Sequence, residues 1–184
     1  DRGSREVDER SDRGNGFLSD VCADWERSTE EAEAAGVRVV HLRIGLVLSA
    51  RGGALGTLAR IFRLGLGGRV GSGRQGMSWI AVDDLIAAVL FSIVTPSVFG
   101  AVNGVAPEAC SNRDFGRTLA RVLRRPFLCP APAPAIRLVL GELGDQLLLR
   151  GAFVKPTKLL DHGFRFAFPS LERALRFQFG RVDG

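Results

Sequence analysis

The chain is predicted to be an α/β protein in which short strands alternate with helices. Helix-period apolar spacing recurs along it, as in Leu18-Val21-Cys22-Trp25 and Leu85-Ile86-Val89-Leu90-Ile93. Between such stretches lie short strand-like runs, Val37-Arg-Val-Val-His-Leu42 and Ser78-Trp-Ile-Ala-Val82. No internal repeat breaks the alternation, so neither a solenoid nor a bundle is expected. The 184 residues suffice for a domain or a domain and a half, and 46% hydrophobic with 24% charged residues is the balance of a folded globular chain.

In chain order, residues 1–16 read as an exposed polar lead-in carrying Gly3, Gly14 and Gly16. A helix is predicted from about Phe17 to Ala35, its stripe of Leu18, Val21, Cys22 and Trp25 buried and Glu26, Glu30, Glu31 and Glu33 on the other face. Gly36 stops it, and the run from Val37 enters a sheet as a buried strand, with His41 packed in the core. A helix from Gly53 to Leu64 ends at Gly65, and the stretch Gly65–Gly76, with six glycines, must be a loop. Trp25 and Trp79 are expected in the core, and Asp83 can cap a helix whose apolar face runs from Leu85 to Ile93. Ser111-Asn-Arg-Asp114 is a capping-box-like start for a helix through about Arg124. Pro126 to Pro134 reads as extended, Ile136 to Leu149 as a helix interrupted near Gly141 and Gly144. His162 before Gly163 caps a turn, and Ser170 caps a last helix through Phe177.

Composition excludes several functions. The net charge of +5 is almost all arginine, with Lys155 and Lys158 the only lysines, and would suit phosphate-bearing ligands, nucleic acid or an acidic partner. The charges are scattered among acids, however, and neither cluster, Arg121-Arg124-Arg125 or Arg60-Arg63-Arg69-Arg74, has the set of stacking aromatics a single-strand binder would need, so nucleic acid is not expected. Three distant cysteines and two isolated histidines exclude a zinc site of ordinary spacing and argue against a disulfide framework, which fits a reducing compartment. No apolar run of membrane-spanning length exists, and residues 1–16 lack the apolar centre of a secretory signal. A cytoplasmic protein is the default expectation, with any organelle address lying upstream of Asp1. A chain beginning at Asp1 rather than Met is expected to be a processed product or a fragment.

Gly71-Ser-Gly73-Arg-Gln-Gly76 matches the dinucleotide fingerprint G-x-G-x-x-G. That mechanism needs a strand before it, a helix opening on it and an acidic residue about twenty further on; here a strand-like run comes after it and Pro96 stands at that distance. The stretch reads instead either as a ligand-facing loop, whose Arg74, Gln75 and free backbone N–H groups could bind an anion, or as a plain surface turn. Asp83 and Asp84 are a possible carboxylate pair, though capping explains Asp83 more simply. No nucleophile elbow, H-E-x-x-H or phosphate loop occurs. Unaided, these motifs name no reaction.

Taken in order, Phe17-Leu-Ser-Asp-Val-Cys-Ala-Asp-Trp-Glu26, Val39-Val-His-Leu-Arg-Ile-Gly-Leu-Val-Leu48 and Gly52-Gly-Ala-Leu55 resemble one branch of the short-chain dehydrogenase/reductases. Phe62-Arg-Leu-Gly-Leu-Gly-Gly68, Gly71-Ser-Gly-Arg-Gln75, Ser78-Trp-Ile-Ala-Val-Asp-Asp-Leu85 and Val102-Asn-Gly-Val-Ala-Pro107 continue the match, as does the tail around Leu147-Leu-Leu149 and Lys155-Pro156. The branch is the atypical, extended "epimerase family", once named after cell-division inhibitors. The resemblance implies a Rossmann-type sheet carrying NADP(H), incomplete here for want of the Gly-rich N-terminal half, with a small C-terminal α/β substrate domain. Residues 1–100 would be the later part of the nucleotide domain and 101–184 the substrate side. An isolated half-sheet is expected to self-associate or to be poorly soluble.

The superfamily's Tyr and Lys, four apart on one helical face, fall by the same resemblance on Leu18 and Cys22, with Glu26 next in the pattern. Leucine carries no proton, cysteine is no cationic ribose clamp, and the chain has no tyrosine. The resemblance assigns the backbone of Gly45, Leu46 and Val47 to the nicotinamide, and Arg74, Gln75 and Trp79 to the side of a small-molecule substrate. No catalytic residue and no metal ligand is assigned. The resemblance thus implies an NADP-dependent oxidoreductase or sugar-nucleotide-type epimerase or dehydratase, or else a non-catalytic NADP(H)-sensing protein linked to cell or plastid division. Cys22, on an apolar stripe, is inert packing or a reactive thiol.

Overall fold

A computed structural model describes residues 2–134, 138 and 149–181 of the chain. The elements are β1 (Glu6–Val7), α1 (Phe17–Arg27), α2 (Glu30–Ala34), β2 (Val40–Ile44), β3 (Leu46–Leu48), α3 (Gly53–Arg63), β4 (Gly76–Met77) and β5 (Trp79–Ala81). They continue as α4 (Val82–Val94), β6 (Gly100–Gly104), β7 (Cys110–Ser111), α5 (Asn112–Leu123), β8 (Phe153–Val154), α6 (Thr157–Asp161) and α7 (Leu171–Gln178). The α/β class holds, and the predicted helix over 136–149 falls almost wholly outside the described residues.

Among the described residues three of the four strand pairs are parallel: β1 with β8, β2 with β6, and β3 with β5. In β2 the side chains alternate between two faces. His41 and Arg43 point to α1 and α2, His41 Nε2 lying 2.8 Å from the Thr29 hydroxyl and Arg43 bonding Glu26. Val40 and Leu42 point the other way and pack with Ala88 of α4, Val98, Val102 and Leu159. Helices thus flank this pair on both faces, the arrangement that parallel strands require.

The larger core gathers Leu48, Leu55, Phe62, Trp79, Phe115 and Leu119, closed by Leu171 and Leu175 of α7. Ser111 caps α5 as predicted: its hydroxyl accepts the Asp114 N–H at 3.1 Å and donates to the Asp114 carboxylate at 2.5 Å. The Pro-rich stretch is extended because it runs beside the glycine loop, with the Leu128 and Cys129 N–H groups on the Gly67 carbonyl and Ala131 bridged to Val70.

Several expectations are corrected. The lead-in is not merely exposed, since Glu6–Val7 pairs with Phe153–Val154. The first helix breaks at Ser28-Thr29, where the Thr29 hydroxyl turns back to the Glu26 carbonyl. Its stripe is not buried: Trp25 is 71% exposed, Leu18 and Cys22 are exposed and only Val21 is half-buried, because no other element of the described chain covers that side. Trp79 is fully buried, as expected. α4 starts from Ala81 rather than from an Asp83 cap, and it turns Asp84, Ala88 and Ser92 inward while Ile86, Leu90 and Ile93 stay exposed. Small side chains at that four-residue spacing let the helix approach the strands closely, which the bulky face could not. At Ser170 the side chain makes no cap bond; the Glu108 carboxylate accepts the Leu171 N–H instead. Among the described residues no helix is long and apolar enough to cross a membrane, and no cluster of three metal-ligating side chains occurs.

Candidate functional site

The chain changes strand partner at the carboxyl ends of β2 and β6. β2 runs beside β6 up to Ile44↔Gly104; the chain then leaves it, and Leu46 begins the pairing of β3 with β5. Gly45 is the hinge between the two pairs. Its N–H donates to the Gly104 carbonyl at 3.2 Å, and that of Leu46 donates to the Ser78 carbonyl at 2.8 Å. A side chain at position 45 would stand 2.7 Å from the Ser78 carbonyl oxygen and 2.8 Å from Val105 Cγ1, so only glycine fits. With both N–H groups engaged, a carboxamide arriving here would meet carbonyl lone pairs rather than free donors.

Around the end of β6 stand polar groups that sequence reasoning missed. Glu9 accepts the Asn103 N–H at 2.9 Å and the Lys158 N–H at 3.3 Å, and the Asn103 side chain donates to the Lys155 carbonyl at 3.0 Å. One carboxylate from the N-terminal lead-in thereby ties the end of β6 to α6. No local pattern marks Glu9, since its partners are backbone groups far along the chain.

At the dyad positions, Leu18 and Cys22 are exposed on α1, and Glu26 is held by Arg43 through two bonds of 2.7 Å. The Arg43 hydrogen bonds hold the Glu26 carboxyl below the usual carboxylate range against the opposing effect of burial, and Glu26 in turn raises Arg43. Since the folded value is the lower one, the stabilisation is complete above the unfolded pKa and is lost as pH falls through the folded one. The pair is partly exposed, so Glu26→Gln is expected to cost only about 0.2–1 kcal/mol at neutral pH and almost nothing in strong acid. Urea titrations of both proteins at the two pH values check this; an equal deficit at both would deny the ion pair its role.

On the proposed substrate side, Arg74 is exposed, Gln75 is buried with its amide donating to the Val70 carbonyl at 3.0 Å, and Trp79 lies in the core. Three of the loop's amides are engaged within the chain. The Gly71 N–H goes to Ala131, that of Gly73 to Val70 and that of Arg74 to the Ser72 hydroxyl. Its glycines also have structural reasons: a Cβ on Gly67 would strike the Phe62 ring, on Gly68 the Cys129 carbonyl, and on Gly76 the Ala152 backbone. Asp83 and Asp84 do not act as a pair, since Asp83 receives the Gln178 amide and Asp84 two backbone N–H groups. Burial pushes the Cys110 thiol up to about 12, helped by the nearby Glu108 and Asp114 charges, whereas Cys22 and Cys129 are exposed. DTNB is therefore expected to modify two thiols of the native protein quickly and the third only on unfolding; three equal rates would contradict this burial.

Parallel strands covered by helices on both faces, with a change of strand partner at their carboxyl ends, define a Rossmann-type α/β protein. The family description "Domain of unknown function (DUF1731)" matches residues 131–178. Epimerase family protein Mb2239 of Mycobacterium bovis is 40% identical over 173 residues, 94% of this chain and 58% of that protein. The crystal structure of human epimerase family protein SDR39U1 with NADPH is similar over 97% of this chain and 60% of that one, at 34% identity and a TM-score of 0.86. A nucleoside-diphosphate sugar epimerase from Corynebacterium glutamicum, 33% identical, superposes with a TM-score of 0.81 over 98% of this chain and 34% of its own. The chain belongs to the epimerase family of atypical extended short-chain dehydrogenase/reductases. It spans somewhat over half the length of the curated relatives it matches.

Proposed function

We propose that this chain forms the later part of an NADP(H)-binding protein of the epimerase class, with residues 1–100 on the nucleotide side and 101–184 on the side of a small-molecule substrate. The observation that carries the reading is the switch of strand partner at Gly45, in a chain matched over 97% of its length by a protein solved with NADPH. The described residues fit the nicotinamide end of the cofactor. The Gly45–Val47 backbone at the strand ends would hold the carboxamide, and Arg74 would reach the substrate from a loop braced beneath by Gln75 and Trp79. They do not fit the pyrophosphate, since the Gly71, Gly73 and Arg74 N–H groups of the glycine loop are already bonded within the chain. When bound, the cofactor supplies hydride chemistry; this chain's part is to orient the ring and the substrate.

A second reading, a protein that senses NADP(H) without turnover, is favoured by Leu18 and Cys22 in place of the proton donor and ribose clamp. NADPH fluorescence titration, and then an oxidation assay with carbonyl compounds and nucleotide sugars, separates the two. Binding that Gly45→Val abolishes, with turnover, supports the enzyme; the same binding without turnover supports the sensor. If neither NADPH nor a nicotinamide mononucleotide binds, the cofactor assignment fails.

A further inference from the structure

Where α3 ends, three leucines stand out into solvent: Leu64 is 75% exposed, Leu66 57% and Leu128 78%. The backbone gathers them on one tip. The Leu66 N–H donates to the Ile61 carbonyl at 3.2 Å, the Leu128 N–H to the Gly67 carbonyl at 3.0 Å, and the Cys129 thiol reaches the Gly65 carbonyl at 3.6 Å. The leucines cannot fold inward, because the base of the tip is filled: Phe62 is buried, and the Phe127 ring lies 6.3 Å from it. The Leu64, Gly65 and Cys129 N–H groups are bonded within the tip as well, so these donors are not stranded when the tip leaves water.

The charge around the tip has one sign. The stretches that build it, 51–82 and 115–134, hold nine arginines and no acidic residue. Among the described residues only Arg121 of the nine meets a carboxylate, that of Glu172. Arg60 stands one turn before Leu64 on the outer face of α3, and Arg124 and Arg125 lead into the stretch that carries Leu128. Bare leucines contribute nothing to a phosphate backbone, and the rings of Phe62 and Phe127 are taken up by packing, so no base would find a stacking platform here. Apolar side chains bordered by guanidiniums match a layer that is anionic at its surface and hydrocarbon beneath.

We propose that the tip formed by Leu64, Leu66 and Leu128, with the arginines beside it, docks the protein on an anionic lipid bilayer. The leucines enter the boundary between headgroups and acyl chains, while Arg60 and Arg125 meet the lipid phosphates. The chain then lies on the membrane and does not cross it, in keeping with the lack, among the described residues, of a helix long and apolar enough to span one. Attachment is reversible, since three leucines bury far less apolar surface than a spanning helix does. It involves neither the Gly45 hinge nor any turnover, so it stands or falls apart from the cofactor reading.

Co-sedimentation with vesicles tests this, one set of phosphatidylcholine alone and one of phosphatidylcholine with phosphatidylglycerol at about two to one. The expected result is partition onto the anionic vesicles about tenfold or more stronger than onto the neutral ones, weakening as salt is raised. The double changes Leu64→Ser with Leu128→Ser, and Arg60→Gln with Arg125→Gln, are each expected to lower it roughly tenfold or more. All four positions are exposed, so an unchanged Tm certifies the fold. An environment-sensitive dye on the exposed Cys129, in a Cys22→Ser background, is expected to shift to the blue on anionic vesicles. Ile93→Asp, on the separate apolar face of α4, is the control and leaves partition unchanged. Four results would overturn the proposal: partition onto neither vesicle, which leaves the tip to a protein partner; partition that is equal on both or survives the leucine changes; loss through Ile93→Asp instead; or a dimer that Leu128→Ser dissolves, which assigns the tip to a second copy.

Discussion

Asp84→Ala is expected to remove about 2–4 kcal/mol of folding stability. The side chain is 2% exposed, and its two oxygens accept the N–H groups of Ala167 at 2.8 Å and Phe168 at 2.9 Å. Bonds to a charged acceptor contribute roughly 1.5–3 kcal/mol each, and the freed N–H groups regain some water because that segment is only partly buried. Asp84 also sits in the first turn of α4, where the helix N-terminus favours negative charge. The loss therefore falls on the C-terminal arm, which α7 and the Phe168–Phe177 ring contact hold against the core. Asp84→Asn keeps one acceptor but turns an NH2 toward the other donor, so about half the loss should remain. Urea denaturation checks both. A loss below about 1 kcal/mol for the alanine variant would mean that the arm docks through its apolar contacts alone.

Features that depend on a few adjacent residues were legible in the sequence. The Ser111–Asp114 box was readable because both partners lie in one turn, and the strand at Val40 because β-branched residues favour it regardless of its neighbours. Periodicity found α4 but assigned it the wrong inner face. It shows that apolar residues share a side; it does not show that Asp84, Ala88 and Ser92 fit the narrow space over the strands. The α1 stripe failed for the complementary reason, since an apolar face is buried only if something covers it. β1 was invisible, being two residues long and paired with residues 153–154.

The candidate site divides in the same way. Gly45 to Val47 was reached through resemblance, and the structure supplies the physical reason for glycine in the Ser78 carbonyl and Val105. Glu9 was missed because its bonds span 94 and 149 residues of sequence to reach backbone groups. Long-range side-chain-to-backbone bonds leave no spacing pattern, so nothing in the sequence marked Glu9 or Glu108, and Asp84 stood out only beside Asp83. The glycine loop stays open between two readings for a related reason. A run of glycines signals close approach without saying whether a ligand or the chain itself is what approaches.

Gly68→Ala decides that last question. Its Cβ would lie 1.9 Å from the Cys129 carbonyl oxygen and 2.7 Å from the Pro130 nitrogen, both backbone atoms that no rotamer change can move aside. Relief requires shifting the 128–131 stretch, which is fixed by the Leu128 and Cys129 bonds to Gly67 and by the Ala131 bond to Arg69. The expected cost is about 2–4 kcal/mol, at the upper end of overpacking, and it appears without any ligand. Gly36→Ala is the control: its φ of +80° strains an alanine, but nothing lies within 4 Å, so about 1–2 kcal/mol is expected there. If the loop is a joint between two stretches of the chain, Gly68→Ala lowers Tm more than Gly36→Ala does, and NADPH affinity falls only as far as the folded fraction falls. An unchanged Tm with a large loss of NADPH affinity would instead make the glycines a ligand surface, and the packing account of the loop would be wrong.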